Sequence, residues 1–206
     1  MPSALIWTIA AISGVLLVVL ARWQQYTQTL PSGLDFHPVA ASEPEPDTAT
    51  QTLLNLGFDS PLDYWIAAER GQLRHSSGRL LYHPEHRCFA QLASAHCTLS
   101  SFLTDAWTLR ASNRAATLLE QLSQPGQLVW HRYPTTPLDQ LLVRHLEDRA
   151  RLCEAKGVEP IAAPTVDLLW TKAKEEALRR KQVIKRQNPA LSFVKGVGFW
   201  LRSRKS

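Results

Sequence analysis

Seven histidines are the residues of this chain best suited to chemistry: His37, His75, His83, His86, His96, His131 and His145. The tightest group is His83-Pro84-Glu85-His86, with Cys88 and Cys97 following. A zinc ion needs three or four His, Cys or carboxylate ligands converging at about 2.0–2.3 Å. The helical His-Glu-x-x-His motif supplies two of them one turn apart, but here the spacing differs and Pro84 forbids the helix. The segment therefore reads as a polar hairpin turn, with no metal or cofactor assigned. A metal-dependent enzyme using His83 and His86, with His131 as a third ligand, is the alternative. His145 falls on the apolar face of a helix, where a buried neutral imidazole hydrogen-bonded to a backbone group is expected ahead of a catalytic base. No Gly-x-Ser-x-Gly elbow exists, and Cys97, Ser100 and Ser101 sit in strand-like sequence. The nine glycines are scattered and form no phosphate loop. No catalytic residue is assigned, and the balance goes against an enzyme.

The element that must position everything else is the stretch 4–21, ALIWTIAAISGVLLVVLA. It carries no charge, and a helix of that length spans roughly 27 Å, close to the ~30 Å of a bilayer's hydrocarbon core. A cleaved signal peptide would have a basic start, a core of about 7–15 residues and a small-residue cleavage site, none of which fits here. The stretch is expected to be a retained single transmembrane helix. Arg22 beyond it, with no Lys or Arg before it, places the remainder in the cytoplasm. Three cysteines, Cys88, Cys97 and Cys153, cannot all pair within one molecule and match no zinc spacing, which agrees with a reducing compartment.

Charge is unevenly divided. Residues 171–206 carry eleven Lys/Arg and two Asp/Glu, a balance of +9, while the preceding 170 carry twelve and sixteen, a balance of −4. A basic tail on a mildly acidic body points to an anionic partner, either membrane or nucleic acid.

Between the two ends the chain reads as an α+β domain: a small antiparallel sheet covered by helices. Residues 22–47 are Pro-rich and read as an extended linker. Residues 48–157 form the soluble domain. It begins with a short helix capped by Asp47 or Thr48 and ended by Gly57. LDYWI, RLLYH, RCFAQLA, TLSSFLTD and WTLRAS then suggest a meander of four or five strands, with turns at 84–86 and at Asp105-Ala106. Asn113 is expected to cap a helix carrying Ala115, Leu118, Leu119 and Leu122, and QLVWHRY to form a further strand. The clearest helix runs over 137–156, with Thr136 as N-cap, Pro137 first, Asp139 at the third position and Gly157 past its end. Its face of Leu138, Leu141, Leu142, His145 and Leu152 should lie across the sheet.

Residues 158–206 read as a basic amphipathic helical tail. A helix opened by Thr165 runs to about 187 with Val166, Leu169, Trp170, Ala173, Ala177 and Ile184 as its stripe. The last piece sets Phe193, Val197, Trp200 and Leu201 at helical spacing against Lys195, Arg202, Arg204 and Lys205. That pattern suits an interfacial helix contacting anionic lipid. Nucleic-acid binding through the same tail is the competing reading.

The order Leu56-Gly57-Phe58, Tyr82-His83-Pro84-Glu85 and Ser101-Phe102-Leu103-Thr104-Asp105, then a strand and a helix bearing His145, resembles small α+β domains of uncharacterised bacterial single-span membrane proteins. The resemblance covers about residues 50–157, belongs to no named family and implies no activity. Such proteins tend to carry Asp-Gly where this chain has Asp105-Ala106. Taken together, the sequence suggests a membrane-anchored, non-enzymatic interaction or scaffold domain.

Overall fold

The computed structural model describes residues 33–39, 47–69, 76–93, 96–117, 120 and 126–186, together with 7, 13, 14, 17, 18 and 21. Seven strands form one sheet whose spatial order follows the chain: β1 (Gly33–Val39), β2 (Asp59–Glu69), β3 (Ser76–His83), β4 (Cys88–Ala93), β5 (His96–Phe102), β6 (Thr108–Ser112) and β7 (Leu128–Arg132). Among the described residues, three helices of eight or more residues accompany it: α1 (Thr48–Asn55), α2 (Leu138–Lys156) and α3 (Val166–Arg186). The α+β class holds, and the sheet, with seven strands, is larger than the meander of four or five and one further strand expected.

Each neighbour pair from β1 to β6 is antiparallel, through short connections from β2 onward and through residues 40–58 with α1 between β1 and β2, but β6 and β7 run parallel. The antiparallel expectation fails there because 113–127 is long enough for a crossover, which parallel neighbours require. Asn113 does not cap a helix in that connection; its side-chain oxygen accepts from the Cys97 N–H at 2.8 Å. The capping pair begins four residues on, at Thr117. The Thr117 N–H reaches Glu120 Oε2 at 2.9 Å and the Glu120 N–H reaches Thr117 Oγ1 at 3.3 Å, a reciprocal box. Residues 118, 119 and 121–125 lie outside the described residues.

Strand β1 lies within the stretch read as linker. Pro38 is no obstacle to it, because an edge strand has one side free of ladder bonds. Phe36 stacks on Trp170 of α3 at 4.2 Å between ring centroids, tying this edge to the domain. Within β2, a register shift between Asp59 and Leu62 accompanies Ser60 at φ 51°.

The sheet is covered on both faces. On one, α1 and α2 bring Leu53, Leu141 and Leu142 against Leu81, Cys88, Ala90 and Leu99. On the other, Leu169 of α3 meets Tyr64, Leu80, Phe89 and Phe102. Burial on both sides explains why the strand sequences alternate imperfectly; all five residues of β6 are buried. Gly78 serves this packing: a Cβ there would lie 2.6 Å from the Leu92 carbonyl oxygen and 2.8 Å from the Tyr64 hydroxyl opposite.

Local signals start and stop the helices. Asp47 caps α1, accepting from the Thr50 N–H at 2.6 Å, and Gly57 follows its end at φ 91°. For α2 the cap is Pro137 without a side-chain bond, so the expected Thr136/Asp139 box does not form. Gly157 closes α2 at φ 65°, donating to the Cys153 carbonyl at 2.9 Å. Thr165 caps α3 through the Leu168 N–H at 3.2 Å.

The Asp105-Ala106 turn has both central residues at positive φ, 54° and 60°, as a type I′ hairpin turn demands. Alanine pays about 1–2 kcal/mol there that glycine does not. Ala106→Gly should therefore raise stability by up to about 1 kcal/mol after the unfolded-state entropy cost. Urea titration checks this, and a loss of stability would contradict the assigned turn.

Among the described residues no helix is long and apolar enough to cross a membrane. The expected span at 4–21 lies largely outside them, although Trp7, Ser13, Gly14, Leu17, Val18 and Ala21 are helical. The stretch 187–206 lies outside them entirely.

Candidate functional site

Among the described residues the His83 and His86 rings come together, 4.2 Å between centroids, but no third histidine joins them. His83 stands at the end of β3 with both ring nitrogens engaged: Nε2 lies 3.0 Å from the Leu56 carbonyl, and Nδ1 accepts from the His86 N–H at 3.2 Å. That fixes the neutral Nε2–H tautomer, and burial together with His86 holds its pKa below the ordinary value. His131 is on β7, four strands away, roughly 19 Å at the usual strand spacing. His83, His86 and His131 therefore share no ligand position. Among the described residues no group of three His, Cys, Asp or Glu could hold a metal. His37 is stacked on Trp65 and His96 is exposed at the start of β5, whereas His75 lies outside the described residues.

His145 is fully buried, and its partner is a side chain rather than the backbone: Ser101 Oγ lies 2.8 Å from Nε2. A Ser–His pair at that distance has the form of an activated nucleophile, but both residues are sealed between β5 and α2, at 0% exposure. Burial lowers the His145 pKa to about 3, helped by Arg149 and His131. The pair braces the core. Cys88 and Cys97 are likewise closed off, free thiols pushed up to about 12 by burial.

At the β7 edge, Asp148 of α2 accepts from His131 Nδ1 at 2.6 Å, from Tyr133, and from Arg151 at 3.1 Å. Burial and the Asp148 carboxylate raise the Tyr133 pKa to about 12. The His131 side chain stays 40% exposed. This arrangement orients an imidazole and joins α2 to β7, with no nucleophile beside it.

The most charged site is on the opposite face. Arg110 and Trp130 are register partners across β6 and β7, so their side chains share the α3 face, and Arg132 follows two residues on. Arg114 and Glu120 come from the crossover, Glu176 and Arg180 from α3. The guanidinium carbons of Arg132, Arg180, Arg110 and Arg114 lie 3.5, 5.1, 5.4 and 5.8 Å from the Trp130 ring centre. Glu176 pairs with Arg110 at 2.9 Å and approaches Arg180 at 3.9 Å. Glu120 pairs with Arg132 at 2.6 Å and with Arg114.

Two carboxylates thus face four guanidiniums. Burial drops the Arg132 pKa to about 10 and lowers that of Arg180, with neighbouring arginines adding to each effect. Burial works against ionised Glu120, but the Thr117 N–H and the Arg132 and Arg114 cations outweigh it and hold its pKa low. Cation–π contacts return about 0.5–2 kcal/mol each without neutralising any charge. Several donors are buried with no partner: Arg110 Nε, Arg132 Nη1, Arg180 Nε and Trp130 Nε1. Each such group costs about 1–3 kcal/mol.

Sequence reasoning assigned Arg180 to a basic face and gave Arg110, Arg114 and Arg132 no role. One signal was present: Arg110 interrupts an otherwise uncharged strand. The membrane-contact residues Phe193, Lys195, Val197, Trp200, Leu201, Arg202, Arg204 and Lys205 lie outside the described residues.

Fold and site together define an α+β domain with a three-layer helix–sheet–helix body and a buried arginine–tryptophan cluster on its α3 face. No known protein family, curated protein or solved structure matches the chain.

Proposed function

We propose that the chain is a single-span membrane protein whose folded body is a non-enzymatic interaction or scaffold domain on the cytoplasmic side. The observation that carries the reading is the state of Trp7, Leu17 and Val18. They are helical and 75%, 66% and 62% exposed, in a stretch without a single charge. Exposed apolar side chains at helical positions of an uncharged stretch suit lipid as their solvent. The cytoplasmic side rests on Arg22, and three unpaired cysteines agree with it. In the body, the groups that resemble catalytic pairs are sealed or saturated, which favours binding over turnover. The tail from Phe193 to Lys205 supplies a second contact, with anionic lipid.

Membrane fractionation of cells expressing the full chain tests the anchor. The protein should pellet with membranes and resist alkaline carbonate, whereas Leu17→Arg with Val18→Arg should move it to the soluble fraction. A charge costs about 2.5–3.5 kcal/mol at the centre of a span and less toward its end, where Leu17 and Val18 stand, so both are replaced together. A parent chain released by carbonate would overturn the anchor. For the tail, Trp200→Ser should weaken binding to anionic liposomes at unchanged charge. Tight DNA or RNA binding without liposome binding would assign the tail to nucleic acid instead.

A further inference from the structure

We propose that the arginine cluster around Trp130 is a binding site for a phosphoryl dianion, either free phosphate or the phosphomonoester of a headgroup. The charge count comes first. Arg110, Arg114, Arg132 and Arg180 face Glu120 and Glu176, leaving two positive charges in excess. Of the buried groups here without a hydrogen-bond partner, Arg110 Nε, Arg132 Nη1, Arg180 Nε and Trp130 Nε1 are donors, against one acceptor, Glu176 Oε1. What completes such a site must accept hydrogen bonds and carry about two negative charges.

Compactness narrows the class. Glu176 lies 2.9 Å from Arg110 and 3.9 Å from Arg180, Glu120 holds Arg114 and Arg132, and all four guanidinium carbons lie within 5.8 Å of one indole centre, which favours one small dianion over a long diacid. A phosphomonoester carries about −1.5 to −2 near neutral pH and offers several strong acceptor oxygens. Guanidinium forks match its geometry.

The frame is rigid where rigidity matters, since Arg110, Trp130 and Arg132 stand on paired strands while α3 and the crossover bring the remaining cations. Arg110 and Glu176 are the enclosed side, each side chain 9% exposed; Arg180 at 20% and Arg114 at 30% form the solvent-facing side. A ligand would enter between the latter two.

The test is calorimetric titration of the full chain in nonionic micelles, at constant ionic strength, with inorganic phosphate in one arm. A short-chain phosphatidic acid below its micelle concentration is the second arm. Saturable binding at one site is expected in at least one arm, with chloride silent. Binding of inorganic phosphate identifies a soluble ligand, and binding of the lipid alone identifies a headgroup. Arg180→Gln should weaken binding at least tenfold, and Arg180→Lys should weaken it less. The basic tail is unchanged in both variants, so any weakening belongs to the cluster. Should Arg180→Gln lose its native circular dichroism, the more exposed Arg114→Gln is read instead. A folded parent that binds neither probe, or binding unchanged in the folded arginine variant, overturns the site.

Discussion

Glu176→Gln is expected to lower the free energy of unfolding by about 3–5 kcal/mol, the range for breaking a buried ion pair from one side. Glu176 and Arg110 are 9% exposed each and 2.9 Å apart, and Arg180 leans on the same carboxylate. Removing the charge strands two guanidiniums beside two more around Trp130. The surface pair Arg151–Glu147, at 3.8 Å with side chains 70% and 60% exposed, provides the contrast. Glu147→Gln should change stability by under about 1 kcal/mol, since water already screens that pair. Urea denaturation of both variants beside the parent makes the comparison. If Glu176→Gln costs no more than Glu147→Gln, the cluster is not buried in solution as described.

The second large effect appears in acid. His145 has a folded-state pKa of about 3 against an ordinary 6.5, because burial disfavours the imidazolium. Below pH 6.5 the unfolded chain takes up a proton that the folded chain refuses, so stability falls with pH down to about 3 and the term is constant above 6.5. The difference amounts to about 3 kcal/mol at pH 4.5. His83, also lowered by burial, adds in the same direction. The comparison is therefore with His145→Gln, which keeps a group able to bond Ser101 but does not titrate. Its stability should fall less steeply than the parent's between pH 6.5 and 4. Parallel curves would mean that His145 is protonated in the folded protein.

Both effects depend on residues that the sequence places differently. His145 was legible as a helix-face residue, because Leu138, Leu141 and Leu142 set the period around it. Its bond to Ser101 was not, since 44 residues of chain separate them and only the sheet's position under α2 brings them together. The short strands and α1, α2 and α3 were readable from runs and turn residues. Strand β1 was hidden by Pro38, whose cost disappears at a sheet edge. The parallel β6–β7 pair was hidden because strand sequences carry no direction. Helix α3 read as a free basic surface because Glu176 and Arg180 have the composition of a solvated face. Their burial becomes visible only once Arg110 and Trp130 are known to point at them.

The strand order carries a kinetic consequence. With every strand beside its chain neighbour, each antiparallel pair costs only the closure of its own connection, so β2 to β6 can assemble progressively. Two pairs are exceptions, since β1–β2 must close residues 40–58 and β6–β7 must close residues 113–127 before any ladder bond offsets the lost freedom. The second closure brings Arg114 and Glu120 beside Trp130. The concentrated positive charge around that indole is thus assembled only when the crossover is made, after the local hairpins are free to form without opposing it.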